Sequence, residues 1–501
     1  MGVIARQTIK TSFVYYMAAV IGIINRLFLL PQYLTATELG FLDIFFYVVT
    51  IFSLLSSLGS TAILLKYHQY FKNKNQYPAI VGEVILITLV GFFLLTFILF
   101  YLKSNILNFY KTDINDLELI TNFFYLIPIF GLIFIIKNLF STFSLIAQRL
   151  TIPAIFNDFW VKISSLLLLL LISIKIIDFY GYFHLILLSY LLATSLLVSY
   201  CFKFLSFKAS FNLSGITKAE HKESIKYSSF ALLSGLAGSI TLYADSIMLS
   251  SIEGFNISGI YSIAFFIGMS IELPKRALTS ISQPIISSYF ENKKFKEIDK
   301  LYKQSSINQG FIGFLFFLII LINIDSIFAL IPNNETYIIG RNVALIIGVS
   351  KLLDMFLGVN NEILRASKHY YLDLYFLVFF IIITVGFNYI LIPLYNIDGA
   401  AFATLMSILV YNIIRFIILK KIYNFFPFTF QSLKLLILFL TLAILGCWFP
   451  SFSNEKIIFA FINISIKSAI FTFIFVFISY KLEISPEINK LINLGLNKLR
   501  K

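Results

Sequence analysis

The residues of this sequence that could do chemistry are charged side chains in the middle of long apolar runs. Arg26, Lys137 and Lys162 are cationic examples, and Asp158 and Asp245 are anionic ones. An ionisable group at membrane depth costs roughly 3 kcal/mol, so it usually faces a protein interior or a water-filled path. Cationic side chains outnumber anionic ones in these runs, and Arg and Lys are the usual partners of phosphate. The pattern therefore favours a site for an anionic group.

Arg26 shares one helical face with the small or polar residues Gly22, Ala19 and Tyr15, which is typical of a helix that lines a cavity. Asp245 lies on a similar stripe. The alternatives are an arginine that extends to the outer headgroups and an aspartate that caps a helix near the outer interface. Lys137 has no charged neighbour at helical spacing, which favours a position facing a cavity.

Two further pairs have the spacing of local ion pairs. Asp158 and Lys162 are separated by four residues, and Lys351 and Asp354 by three. Side chains at these spacings meet on one helix face. For each pair, a structural ion pair and a ligand contact are equal alternatives.

One apolar run is interrupted by Glu272-Leu273-Pro274-Lys275-Arg276. Proline removes a backbone donor and bends a helix, and broken helices at membrane depth line polar paths. We predict a gate or an anion contact here, with Lys275 and Arg276 as cations and Glu272 and Pro274 in coupling or gating. The alternative is a helix that leaves the membrane and continues outside it.

The composition predicts which kind of secondary structure carries these charges. Of 501 residues, 59% are hydrophobic and only 13% are charged, whereas a soluble domain is about a quarter charged. This excludes a soluble enzyme and predicts an all-α polytopic membrane protein. A span needs about 20 apolar residues, and we mark fourteen: 11–34, 41–65, 79–102, 119–147, 153–174, 182–204, 227–250, 259–288, 305–330, 336–360, 371–393, 399–419, 432–450 and 458–480.

The basic residues in the connections between spans predict the orientation of the chain in the membrane. They also account for most of the net charge of +14. They crowd the connections on one side, whereas the other side holds only Lys103, Lys111, Lys175 and Lys456. Because cytoplasmic loops carry the excess of Lys and Arg, both termini are predicted to be cytoplasmic. This distribution argues against a nucleic-acid surface, and no P-loop, cysteine framework or histidine metal motif is present.

An internal repeat with an offset of 219 residues aligns Gly40 with Gly259, Arg26 with Asp245, and the segment 70–74 with 289–293. It predicts two six-helix lobes related by a pseudo-twofold along the membrane normal, with the transport path between them. The expected organisation is an N-lobe 1–205, a cytoplasmic linker 206–226, a C-lobe 227–421, two extra helices within 432–480 and a basic cytoplasmic tail 481–501.

Residues 388–404 read Asn-Tyr-Ile-Leu-Ile-Pro-Leu-Tyr-Asn-Ile-Asp-Gly-Ala-Ala-Phe-Ala-Thr. This resembles the signature N-x-x-L-I-P-x-Y-G-I-x-G-A-A-x-A-T of polysaccharide-export proteins, although Asn396 replaces the usual glycine. The opening residues 4–7 and 25–31 also resemble the first span of that family. The sequence is thus similar to O-antigen (Wzx-type) flippases of the multidrug/oligosaccharidyl-lipid/polysaccharide (MOP) superfamily.

The resemblance implies a transporter, not an enzyme. It would move a polyprenyl-diphosphate-linked oligosaccharide across the bacterial inner membrane by alternating access, in contact with membrane lipids, a polysaccharide polymerase and other assembly proteins. A cationic cavity is expected, for which Arg26, Lys137, Lys162, Lys275, Arg276 and Lys351 are candidates by chemistry. Asp158, Asp245, Glu272, Pro274 and Asp354 are the coupling or gating candidates.

Other functions stay open as alternatives. A cation-coupled multidrug exporter would use acids such as Asp43 or Asp245, and lipid II is another cargo for the same architecture. A membrane glycosyltransferase or polymerase is disfavoured by the short outside loops. We expect no cofactor and no metal, and coupling to an H+ or Na+ gradient is an alternative to uncoupled transport.

Overall fold

The protein is helical throughout the part of the chain that the computed structural model describes, which is residues 3–110, 114–205, 207–212, 215–369, 371–453 and 457–499. This confirms the predicted all-α membrane fold class. The chain forms two compact units, Met1–Gly259 and Ile260–Lys501. The lobe and linker boundaries derived from the sequence stay a prediction.

The first unit holds the helices up to the middle of α12. In chain order they are α1 (Val3–Ile24), a π-helix (Asn25–Leu29), α2 (Leu30–Tyr33), α3 (Ala36–Ser57), α4 (Thr61–Asn73), α5 (Tyr77–Tyr101), α6 (Lys103–Phe109), α7 (Ile114–Phe123), α8 (Leu126–Ile146), α9 (Thr151–Ala154), a second π-helix (Ile155–Trp160), α10 (Val161–Ser173), α11 (Phe179–Phe204) and α12 (Lys218–Met269).

The second unit begins within α12 and contains the rest. Its elements are a 3-10 turn (Ser270–Glu272), α13 (Lys275–Glu291), α14 (Phe295–Ala329), α15 (Asn334–Tyr337), a 3-10 turn (Ile338–Gly340), α16 (Arg341–Phe356), α17 (Asn360–Ala366), α18 (Tyr371–Tyr423), α19 (Phe430–Trp448), α20 (Ile457–Lys481) and α21 (Pro486–Leu499).

Among the described residues, 11 helices are long and apolar enough to span a membrane, and there are 12 when the bent pair α16–α17 counts as one span. Fourteen spans were predicted. The smaller number arises because two of the predicted turns are so tight that helical structure continues through them.

The chain reverses direction inside α12 at Gly254 and inside α18 at Asn396. The Ser258 hydroxyl lies 3.4 Å from the Ser246 carbonyl oxygen, although a straight helix would separate these residues by about 18 Å. Gly254 has a φ of 86°, which glycine adopts without steric cost. Asn396 has a φ of 49° and a ψ of −126°, which are far from helical values, and a Cβ atom on Gly399 would lie 2.1 Å from the Leu391 carbonyl oxygen. Each of the two long helices therefore accounts for two predicted spans.

The first unit is built around α3, which packs against α5 and α8. Its start is fixed by a capping box, in which the Thr35 hydroxyl accepts from the Glu38 N–H and the Glu38 carboxylate accepts from the Thr35 N–H. Buried phenylalanines of α3, α8 and α11 then pack edge to face, as Phe45 does with Phe130 and Phe183. This apolar core leaves the polar residues of α1, α8 and α10 to the site described below.

In the second unit, α14 is the central helix and contacts α16, α19 and α20. Gly310 makes room for the Phe356 ring, and Gly446 of α19 makes room for Ile322. The predicted extra helices α19 and α20 thus pack directly on α14, and their contacts form part of the core of this unit.

Gly40 and Gly259, which the repeat aligns, pack against each other. A Cβ atom on Gly40 would lie 2.0 Å from the Phe255 carbonyl oxygen, and one on Gly259 would lie 2.0 Å from the Ala36 carbonyl oxygen. We expect Gly40→Ala to destabilise the protein by about 2 kcal/mol, because two backbones must separate to admit the methyl group. Thermal unfolding in detergent measures this.

The matched control for Gly40→Ala is Gly238→Ala, at a helical glycine whose added Cβ would meet no atom within 4 Å. We expect this change to leave the unfolding temperature unchanged or to raise it, since alanine favours the helix. Equal unfolding temperatures for the two variants would contradict the close helix crossing.

Candidate functional site

The first group of predicted residues surrounds the two π-helices of the first unit. Arg26 lies in the π-helix Asn25–Leu29, just before Pro31, whose missing N–H interrupts the helical hydrogen bonds. Its guanidinium binds Asp43 of α3 in a forked arrangement, with N–O distances of 2.9 and 2.6 Å. Both side chains are 15% exposed. Arg26 is therefore paired across two helices and does not extend to the headgroups.

A hydrogen bond joins the first π-helix to α10, the helix that follows the second π-helix. The Asn25 side-chain amide donates to the Lys162 carbonyl oxygen at 2.8 Å. Asp158 lies in the second π-helix, Ile155–Trp160, and Lys162 follows it in the first turn of α10. π-Helical turns are rare and frequently mark functional sites. Here the first π-helix packs against α10, and α1 packs against the second π-helix.

Lys162 and Lys137 both act electrostatically on the Asp158 carboxylate. The Lys137 ammonium lies 4.0 Å from the centre of the Phe134 ring and 5.7 Å from that of Tyr190. Among the described residues, neither lysine forms a direct ion pair with Asp158. The formal charges of the three residues sum to one positive charge.

A cavity of about 410 Å³ opens beside this group, within the first unit. The Asn157 amide donates to the Ser141 hydroxyl at 2.8 Å, and that hydroxyl donates to the Lys137 carbonyl oxygen at 2.6 Å. The polar residues that line the cavity are Tyr15, Ser57, Thr61, Asn138, Ser141, Thr142, Asn157 and Asp158. Tyr15 belongs to the stripe predicted to line a cavity, and it does so.

The second group lies in the second unit, where the helix is broken at Pro274 as the sequence predicts. A 3-10 turn ends at Glu272, and α13 begins at Lys275. Lys275 forms an ion pair with Asp354, and Lys351 lies 3.1 Å from Glu272. Lys351 and Asp354 thus form their ion pairs with the broken segment, and each reaches a different end of it.

Amide side chains extend this second group. The Asn412 amide donates to the second oxygen of Asp354 at 3.1 Å, and the Asn360 amide donates to the Asn412 oxygen at 3.0 Å. The broken segment, α16, α17 and α18 are therefore linked by a single polar network. The network neutralises its two lysines with two carboxylates.

Arg415 and Asp373 are a buried pair whose partnership the sequence did not reveal. Arg415 is 2% exposed and donates to Asp373 and to the Tyr411 hydroxyl. Arg365 donates to the other Asp373 oxygen at 2.8 Å. The two arginines are eight and 42 residues from the aspartate, so no local spacing could indicate the contact.

Two further predicted residues are Asp245 and Arg276. Asp245 is buried, with 4% of its surface exposed. The side chain of Arg276 lies outside the described part of the structure. In the described residues, no three His, Cys, Asp or Glu side chains cluster as a metal site.

The fold resembles those of known membrane transporters. A lipid II flippase MurJ structure in an inward closed conformation matches with a TM-score of 0.71 and 12% identity, covering 93% of this chain and 98% of that one. An inward-facing multidrug resistance MATE family transporter matches with a TM-score of 0.66 and 14% identity, covering 82% and 94%. The fold is that of MOP-superfamily transporters.

A third MOP-superfamily transporter, from Pyrococcus furiosus, matches with a TM-score of 0.60 and 12% identity, covering 84% of this chain and 95% of that one. Its structure is described as having a binding pocket of reverse polarity. No protein-family model and no curated protein matches this sequence. The structural likeness therefore establishes the MOP fold and leaves the cargo to be argued from the side chains.

The Lys162 side chain packs against Gly22, because glycine has no side chain to occupy that space. A Cβ atom on Gly22 would lie 3.3 Å from Lys162 Cδ and Cε and 3.4 Å from Nζ. We expect Gly22→Leu to displace the ammonium group and to lower transport about tenfold, because a shift of about 1 Å in a binding group costs that much or more. Transport by the purified protein in liposomes measures this.

Gly238→Leu is the control for Gly22→Leu. It adds the same side chain in the same unit, and a Cβ atom at Gly238 would meet no atom within 4 Å. Its transport should equal that of the unmodified protein. If Gly22→Leu also transports normally, the position of Lys162 does not matter and the site is misassigned.

Proposed function

We propose that this protein is a flippase that moves a polyprenyl-diphosphate-linked oligosaccharide from the cytoplasmic to the outer leaflet of a bacterial inner membrane. The motif at residues 388–404 indicates this cargo, and the MOP fold supplies a transporter architecture for it. The oligosaccharide would serve the synthesis of a cell-surface polysaccharide, so a polysaccharide polymerase and other assembly proteins are its expected partners.

One observation carries the proposal, which is the excess of positive charge beside the polar cavity of the first unit. The cations Arg26, Lys275 and Lys351 each have a carboxylate partner of their own. Lys137 and Lys162 lie near a single carboxylate, Asp158, and neither forms a direct ion pair with it among the described residues. A diphosphate group carries the opposite charge, and ammonium groups bind phosphate as strong charge-assisted donors. These two lysines are therefore the proposed contacts to the diphosphate.

The two helices beyond the repeated lobes also favour a lipid-linked cargo. The match to the lipid II flippase covers 93% of the chain and the matches to MATE transporters cover 82% to 84%. The difference is about the length of α19 and α20 together. These helices pack on α14 and expose leucines, phenylalanines and isoleucines on their other side, which suits a polyprenyl chain. Lipid II is the nearest alternative cargo.

Export of cationic drugs, coupled to an H+ or Na+ gradient, is the second candidate, because MATE transporters share the fold. Such a carrier needs a carboxylate whose charge is available to the drug. Asp43 is bound to Arg26, and Asp158 faces two lysines. These pairings favour an anionic cargo over a cationic one.

The proposal is tested by depleting the protein in its own host and analysing the lipid-linked saccharides of each leaflet. We expect one polyprenyl-diphosphate-linked saccharide to accumulate on the cytoplasmic side, and expression of the unmodified protein to clear it. Unchanged saccharide pools combined with a new sensitivity to cationic drugs would overturn the proposal and support the second candidate.

A further inference from the structure

A second cavity lies in the second unit, and none of its lining residues belongs to the charged groups described above. Its volume is about 400 Å³. It is bordered by the first turns of α14, by the start of α19 at Thr429 and Gln431, and by the start of α21 at Pro486 and Glu487. Three separate helix beginnings therefore meet around one open space.

Positive charge dominates the α14 side of this cavity. Three lysines lie on one face of the helix, because they are spaced four and three residues apart. They are Lys296, Lys300 and Lys303. Both oxygens of the Asp299 carboxylate already have partners within the protein. One lies 2.5 Å from the Lys303 ammonium, and the other accepts from the Phe426 N–H at 3.1 Å. Lys296 and Lys300 are exposed and form no ion pair among the described residues. Glu487 is the second acid at the cavity, and its carboxylate accepts from the Ser485 hydroxyl at 3.4 Å. Because three lysines face two acids, the cavity favours an anionic ligand.

The cavity lies at the end of the apolar part of α14. From Ile307 onward the helix carries buried apolar residues such as Phe311 and Phe314. The preceding turns carry the three lysines. A helix that changes from charged to apolar in this way leaves the membrane at the change, so the lysines lie at the level of lipid headgroups.

Helix α21 supports the same placement. It is anchored to the bundle, since the Ser485 hydroxyl donates to Asn308 at 2.6 Å and the Tyr480 hydroxyl donates to Asn493 at 2.7 Å. Leu491 and Leu494 are nonetheless 68% and 58% exposed. An anchored amphipathic helix with exposed leucines beside a membrane span lies in the interface with those leucines in the lipid.

We propose that this cavity binds the phosphate of an anionic membrane lipid, with Lys296 and Lys300 as the charged contacts. The first turn of α21 borders the cavity, and the exposed leucines farther along this helix would contact the acyl chains of such a lipid. A headgroup without net charge lacks the attraction to the two lysines. The site is separate from the proposed cargo site, and its occupancy would tie the second unit to anionic regions of the membrane.

The test uses the full-length protein in detergent and measures lipid binding by native mass spectrometry. The probes are phosphatidylglycerol, phosphatidylcholine and inorganic phosphate. We expect phosphatidylglycerol to bind at least tenfold more tightly than phosphatidylcholine, and Lys296→Gln with Lys300→Gln to remove this preference. The control is Lys218→Gln with Lys222→Gln, which removes two exposed lysines of the same spacing at the start of α12.

We expect the control pair to keep the preference. Equal losses in the two double variants would overturn the site, since they would reflect net charge alone. Equal binding of the two lipids would also overturn it. Binding of inorganic phosphate at the same affinity as phosphatidylglycerol would overturn the assignment to a lipid, because the acyl chains would then contribute nothing.

Discussion

Lys137→Gln combined with Lys162→Gln is expected to lower transport of a diphosphate-linked lipid about 100-fold while the protein stays folded. Hydrogen bonds to charged groups contribute about 1.5–3 kcal/mol each, and 1.4 kcal/mol corresponds to a factor of ten. Two such contacts therefore account for a loss of this size. Initial transport rates in liposomes measure it, and size-exclusion chromatography reports the fold.

The matched control is Lys103→Gln combined with Lys203→Gln. Lys103 and Lys203 lie 5.4 Å from the ring centres of Phe124 and Phe204, as Lys137 lies over the Phe134 ring, but neither is near Asp158. We expect normal transport from this variant. If the Lys137 and Lys162 variant transports as well as the control does, these lysines do not bind the diphosphate.

Asp43→Leu is expected to be the most destabilising single change near the site. It leaves the Arg26 guanidinium largely buried without the carboxylate it binds at 2.6 Å, and breaking a buried pair in this way costs about 3–5 kcal/mol. The double variant Arg26→Met, Asp43→Leu removes both charges, and we expect it to recover most of the lost stability. Unfolding free energies in a double-mutant cycle measure the coupling.

The exposed pair Arg341–Asp325 is the control for that cycle. Its side chains are 42% and 63% exposed, and exposed pairs contribute about 0–1 kcal/mol. A coupling energy as small for Arg26 and Asp43 as for the control would contradict a buried structural pair. Such a small coupling energy would instead favour a role for Arg26 in binding the cargo.

Residues close in sequence were the ones whose environment could be predicted. The break at Pro274 follows from the covalent structure of proline, and the cavity position of Tyr15 follows from its helical stripe. Lys351 and Asp354 illustrate the limit, because their spacing permits a local pair. The broken segment offers each of them a better partner, and only the tertiary packing places Glu272 and Lys275 there.

Contacts between distant helices could not be predicted from local patterns. Arg415 is buried against Asp373, which lies 42 residues away in the sequence. Gly40 and Gly259 were aligned by the repeat, but their direct packing depends on how the two helices cross. Such contacts are set by the register between helices, which hydropathy and spacing do not contain.

The most direct test of the proposed function is a flipping assay with the purified protein in liposomes. A polyprenyl-diphosphate-linked oligosaccharide is placed in one leaflet, and its arrival in the other is followed with a glycosidase that cannot cross the membrane. We predict rapid arrival with the unmodified protein and about 100-fold slower arrival with Lys137→Gln, Lys162→Gln. No faster arrival than in protein-free liposomes would contradict the proposed flippase.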